Sequence, residues 1–193
     1  MNVFAKSLSV EREGMNLLIP ALEAMWQGMY VVPLQGQSAP IVKLQQEFGD
    51  LLIFSKDPLK RHPQAAEVKV ERRTPSGSFY AETWSNNLRN PGWVVNSHAT
   101  YLIYVFLEPS PIAYVMDMPS FKGWVRDNER RLKVRRPDAN REQLNETVGV
   151  LAPIDEVLAD FKRTGARFRV LDLVQYADIS PSKTPQSQEA LRQ

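Results

Sequence analysis

Two stretches decide how this chain is read: Gly49-Asp50-Leu51-Leu52-Ile53-Phe54 and Glu67-Val68-Lys69-Val70-Glu71. The apolar run after Asp50 reads as a short buried strand. Side chains alternate faces along a strand, so Glu67, Lys69 and Glu71 share one face while Val68 and Val70 take the other. Such a strand buries its valines and presents carboxylate, ammonium and carboxylate together, an arrangement suited to metal-dependent chemistry. The pentapeptide by itself also fits a solvated sheet face with cross-strand ion pairs. The flanking sequence separates the two readings.

Thr74-Pro75-Ser76-Gly77-Ser78 is a turn cluster. Phe79-Tyr80-Ala81-Glu82-Thr83-Trp84 reads as a strand with Tyr80, Glu82 and Trp84 on one face. Asn90-Pro91-Gly92-Trp93-Val94 follows, and then Ser97-His98-Ala99-Thr100-Tyr101-Leu102-Ile103-Tyr104-Val105-Phe106. An Asp at one strand head, Glu-x-Lys on the next strand and a further Glu on the strand after it resembles the PD-(D/E)XK nuclease superfamily. The order aromatic strand with Glu, Pro-Gly-Trp, then a Ser-x-Ala-x-Tyr-Leu-Ile-Tyr run is similar to a phage and prophage group within it. The resemblance covers Asp50 to Trp124. Gly49-Asp50 stands where the superfamily has Pro-Asp, and Ala99-Thr100 where the group has Ala-Asp. Val10-Glu11-Arg12-Glu13-Gly14 takes the place of a Gly-x-x-Gly-Glu motif.

The resemblance implies an α/β fold, a restriction-endonuclease-like central mixed β-sheet flanked by helices, in one domain spanning residues 1–178. It implies a magnesium-dependent deoxyribonuclease of phage or mobile-element origin that hydrolyses phosphodiester bonds. In that scheme Asp50 and Glu67 bind Mg²⁺ or Mn²⁺, with the Val68 backbone carbonyl as a further ligand. Lys69 orients the attacking water or stabilises the transition state. Glu82 is a further acceptor or ligand, and Glu13 reaches the site from the first helix. The alternative is a non-catalytic protein of the same fold that binds DNA or a protein partner, because a fold does not fix a function.

Composition sets bounds on these readings. The 193 residues suffice for one sizeable core, and the 43% hydrophobic and 24% charged fractions are those of a globular chain. A formal net charge of +2 permits nucleic-acid binding without demanding it. The absence of cysteine excludes disulfides and thiolate zinc sites. With His62 and His98 as the only imidazoles, any metal is expected to be a hard cation held by carboxylates. No run approaches the roughly 20 apolar residues of a membrane helix, and Met1 to Lys6 lead into a charged segment. The expectation is a cytoplasmic protein with no membrane partner.

Elsewhere, Ser9 is placed to cap a helix whose stripe Leu17, Leu18, Ala21, Leu22, Met25 and Trp26 faces the core, with Pro20 as a kink or restart. Gln35 to Pro40 reads as a polar loop. Tyr101–Leu107 and Ile112–Met118 read as strands joined by Glu108-Pro109-Ser110-Pro111, and Pro119 opens the next helix. Lys60 and Arg61 in one loop, and Arg130, Arg131, Arg135 and Arg136 after that helix, are the candidate DNA-binding residues. Trp84 and Trp93 flank a polar loop and could stack on an unpaired base or pack as lids on the core. Residues 179–193 read as a disordered tail. The expected partner is DNA, with self-association into a homodimer left open.

Overall fold

The computed structural model describes residues 3–34, 36, 38–57, 59, 62–73, 77–85, 89–136 and 147–177, with side chains described from residue 8 onward. The tail 179–193, the turn residues 74–76 and the loop residues 86–88 lie outside that description.

The chain forms a mixed α/β structure in which a mixed sheet is flanked by helices. Helix α1 (Val3–Met25) begins upstream of Ser9, because nothing between Val3 and Leu8 breaks a helix, and it continues through Pro20. Its stripe is buried as its spacing predicts, with Leu18, Ala21 and Leu22 fully enclosed. Strand β1 (Met29–Pro33) pairs antiparallel with β2 (Leu51–Ser55), and β2 pairs antiparallel with β3 (Gln64–Glu71). Beyond β3 come β6 (Tyr101–Phe106), β7 (Ile112–Asp117) and β10 (Phe168–Asp172), giving a six-stranded sheet in the order β1-β2-β3-β6-β7-β10. β3 and β6 run parallel. A central strand covered on both faces needs an unbroken apolar run, and Tyr101-Leu102-Ile103-Tyr104-Val105-Phe106 supplies one.

Strand β4 (Ser78–Ser85) follows β3 in the chain but does not pair with it. It leaves for a second sheet, β5-β4-β9-β8, made with β5 (Asn90–Pro91), β9 (Val148–Pro153) and β8 (Lys133–Arg135). The place beside β3 belongs to β6, which buries more apolar surface there. Helix α3 (Trp93–Asn96) follows β5, α4 (Met118–Asn128) follows β7, and α5 (Ile154–Thr164) follows β9. Asp117 caps α4 through the Ser120 N–H at 3.0 Å, with proline in the first turn as expected.

Two cores result. Ala66, Val68, Ile103 and Val105 on one face of the large sheet pack under α1. Leu102, Tyr104, Phe106 and Met116 on the other face pack against Phe79 and Ala81 of β4 and against Phe121 and Phe161 of α4 and α5. Helix α2 (Ala39–Phe48) extends the segment read as a polar loop, and it buries none of its residues. Ile41, Leu44 and Phe48 recur in it at helical spacing, a period that the reading of the polar loop passed over. Among the described residues, no helix is long and apolar enough to cross a membrane.

Helix α1 crosses β3 at Gly14. A Cβ on Gly14 would lie 2.4 Å from Cγ1 of Val70, a stiff β-branched side chain. Gly14→Ala gains up to about 1 kcal/mol of helix propensity, but the overpacking costs about 1–3 kcal/mol. The expected result is net destabilisation in urea melts, reversed when Val70→Ala is added. Additive effects of the two changes would show that the crossing has room to spare.

Candidate functional site

The site begins where β2 ends. The β2–β3 ladder closes at Leu51 opposite Ala66, so β3 runs on past its neighbour. The next backbone group facing that side is the Val68 N–H, and the Asp50 carboxylate accepts its hydrogen bond at 2.7 Å. The N–H and C=O of one strand residue point the same way, so the Val68 carbonyl also faces the side that β2 leaves open. Gly49 makes the approach feasible. Its φ is +93°, and a Cβ there would lie 2.8 Å from the Ala66 carbonyl oxygen. Glycine at position 49 therefore has a backbone reason.

Glu67, Lys69 and Glu71 share a face, as strand alternation requires, but that face is not an open solvated surface. It turns toward β4 and α3. Glu67 and Lys69 form an ion pair at 2.7 Å, with side chains only 13% and 30% exposed. The second Glu67 oxygen accepts from the Ser97 hydroxyl at 3.3 Å. The Lys69 ammonium lies 5.4 Å from the Trp93 ring centre. Burial pulls the ammonium toward its neutral form. The charges of Glu67 and Asp50, the Glu67 hydrogen bond and the charge of Glu82 outweigh that, and the Lys69 pKa stands above the ordinary lysine value. Burial and the charge of Glu67 push Asp50 up to about 6, against the opposing effects of Lys69 and the Val68 N–H. Glu82 is raised by burial and by Glu67, against Lys69 and a Ser85 hydrogen bond. Asp50, Glu67, Lys69 and Glu82 are thus in electrostatic contact.

Glu71 goes elsewhere. It accepts the Tyr104 phenol, whose oxygen in turn accepts the Tyr80 N–H at 3.1 Å. The Arg135 guanidinium lies 5.8 Å from the Tyr80 ring centre. Tyr80, Glu82 and Trp84 lie on the outer side of β4, alternating with buried Phe79, Ala81 and Thr83, and the β4–β9 register shifts between Glu82 and Trp84.

Glu13 pairs with Arg72 at 2.9 Å and is not among the groups acting on Asp50. Glu11 is, and it lines the same cleft as Lys69, Glu71 and Arg135. A signal for this was present in the sequence. Glu11 lies three residues before Gly14, hence on the helix face that meets β3. Ser97 is the other residue that motif reasoning left without a role.

Of the candidate DNA-binding residues, Lys60 and Arg61 lie outside the described residues. Arg131 pairs with Glu156 at 2.6 Å and lies over Trp124. Arg130 is exposed on a 3₁₀ turn, Glu129–Arg131, and Arg136 is exposed just after β8. Of the four that are described, Arg135 alone borders the cleft that contains Lys69.

No family model, curated protein or solved structure matches this chain. Among the described residues, no group of three or more His, Cys, Asp and Glu is disposed to hold a metal ion. The donors at hand are the Asp50 and Glu67 carboxylates and the Val68 carbonyl, all hard oxygens of the kind that Mg²⁺ and Mn²⁺ take together with water. The charge of Glu67 raises the proton affinity of Asp50, which is the electrostatic condition that a cation relieves. In donor chemistry Asp50, Glu67 and the Val68 carbonyl are of the type that such an ion takes.

Asp50 yields a pH test. Its carboxyl titrates near the ordinary value of 3.8 when unfolded and at about 6 when folded. The folded state therefore holds the proton longer, and stability falls as pH rises from the first value through the second. Above that window the penalty is constant, about 3 kcal/mol at most. Asp50→Asn keeps an oxygen acceptor for Val68 but removes the charge. Urea melts in chelator are expected to show the variant more stable than wild type at pH 8 and equal to it at pH 3. Equal stability at both would mean that Asp50 is well solvated.

Proposed function

We propose that this chain is a divalent-metal-dependent deoxyribonuclease of the PD-(D/E)XK type, hydrolysing phosphodiester bonds and of phage or mobile-element origin. The observation that carries the reading is the convergence of Asp50, at the head of β2, with Glu67 and Lys69 on β3. Asp50 and Glu67, with the Val68 carbonyl, would hold Mg²⁺ or Mn²⁺, which when bound offsets phosphate charge and makes water more acidic. Lys69 stays protonated at neutral pH because its acidic neighbours outweigh its burial. It therefore acts as a cationic donor to a phosphoryl oxygen and not as a base. Glu67 and Trp93 fix its position from two sides. Glu82 adds negative charge across the cleft, and Glu11 adds it from the helix.

One observation favours a second reading, a non-catalytic protein of the same fold that binds DNA or a protein partner. The described residues gather no three-carboxylate cluster, and Glu67 is already satisfied by Lys69 and Ser97.

The assay that separates them is nicking of supercoiled, linear and branched DNA with Mg²⁺ or Mn²⁺ against chelator. Lys69→Gln is preferred to alanine, because removing the ammonium outright leaves Glu67 nearly buried without its partner. The nuclease reading expects metal-dependent cutting by wild type. Loss of the Lys69 contact is expected to lower the rate about a hundredfold or more, and Asp50→Asn is expected to abolish cutting. Binding of DNA with no cutting by wild type under any of these conditions would favour the second reading. Wild-type rates from Lys69→Gln would remove Lys69 from the chemistry.

A further inference from the structure

A second cleft adjoins the acidic pair. Its volume is about 760 Å³, and it opens between the end of β4, α3 and the first turns of α4. Ser97 is a shared wall. It lines the cleft, and its hydroxyl binds Glu67 at 3.3 Å. Whatever occupies the cleft therefore lies beside the proposed reaction centre.

Much of the lining is aliphatic, from Val94, Val95, Met118 and Val125 among others, and two further kinds of group stand out. One is aromatic. Of the four tryptophans, Trp93 stacks on Phe121 with ring centres 6.1 Å apart, Trp26 packs on Tyr101 and Trp124 is buried. Trp84 is the one left 46% exposed, on the cleft rim just after the β4 register shift. A lid on the core would have been buried. The other kind is cationic. Lys122 donates to the Val95 carbonyl at 2.8 Å and the Ser97 carbonyl at 2.9 Å, which fixes its ammonium at the wall. An ammonium carries three donors, so one remains for a ligand. Arg126, a turn further along α4, carries its charge on the rim, where it meets Asp127 at 3.0 Å. Glu129 is the cleft's one carboxylate, set against these two cations.

We infer that this cleft receives an unpaired nucleotide next to the bond to be cut, with its base stacked on Trp84 and its phosphate facing Lys122 and Arg126. The substrate class is then single-stranded or flapped DNA; this rests on the nuclease reading of the adjoining site. A duplex keeps its base faces stacked on each other and cannot offer one to an indole, whereas an unpaired base can. A pocket of this size lies within the range used for nucleotide-sized ligands, about 300–1,000 Å³. The combination of an exposed indole with a fixed ammonium and an exposed guanidinium matches a base joined to a phosphate better than it matches a purely apolar group.

The test uses the full-length protein in chelator, so that binding is read without cleavage. Fluorescence anisotropy compares a labelled oligothymidylate with a fully paired duplex of equal length. Wild type is expected to bind the single strand more tightly. Trp84→Ala is expected to weaken single-strand binding about tenfold and to leave duplex binding unchanged, while Trp84→Phe keeps most of the affinity. Lys122→Gln is expected to flatten the salt dependence of single-strand binding by about one unit of log–log slope. Thermal melts check that each variant is folded. Equal affinity for duplex and single strand, or a Trp84→Ala variant that binds the single strand like wild type, overturns the inference. So does a Trp84→Ala change seen only in sedimentation, which would assign the cleft to a second copy of the chain. Trp84-dependent binding without any Mg²⁺-dependent cutting would leave this inference standing and sink the nuclease reading. Cutting that ignores Trp84 would do the reverse.

Discussion

Charge inside the protein, along one face of β3, is the constraint around which the rest is arranged. A solvated Glu-x-Lys-x-Glu strand would need nothing from its surroundings. Here the face is covered, so each ionic group needs a partner. Glu67 has Lys69 and Ser97, Lys69 also has the face of Trp93, and Glu71 has Tyr104. No buried side-chain nitrogen or oxygen among the described residues lacks a hydrogen-bond partner. The second sheet brings β4 over this face, and the short β5–α3 corner delivers Trp93 and Ser97 to it.

Asp50 is the member of the group whose charge is least well compensated. Its environment raises its pKa to about 6, mainly through burial and the nearby Glu67. A purely structural site would have little reason to hold a carboxylate under that stress, since a neutral side chain could accept the same Val68 N–H. Proteins keep such destabilising arrangements where function needs them. The fold itself leaves open what the site acts on.

The two glycines that shape the site act through space and backbone angle. Gly49 allows the chain to enter β2 with positive φ against the Ala66 carbonyl, which puts Asp50 beside Val68. Gly14 lets α1 press onto Val70, which brings Glu11 near the same carboxylates. The helix glutamate that influences Asp50 is therefore Glu11, whereas Glu13 is drawn outward by Arg72.

The sequence by itself determined what depends on short-range periodicity. The apolar runs fixed β2, β3, β6 and β7, the spacing from Leu17 to Trp26 fixed the buried side of α1, and alternation put Glu67 and Lys69 on one face. Asp50 joins them because it heads the strand next to theirs. Long-range pairing decided the rest. β4 follows β3 in the chain, but the all-apolar β6 buries more surface beside β3, and β4 pairs with β9 instead. Helix α2 carries Ile41, Leu44 and Phe48 at helical spacing but buries none of them, so that period did not mark a core. Whether Trp84 or Trp93 would be the lid could not be read from two tryptophans flanking a loop. In the structure Trp84 stays in solvent at the end of β4 while Trp93 packs on Phe121. Alternation along one strand is a local property, but which strand covers it depends on the competition of distant segments for the same apolar surface.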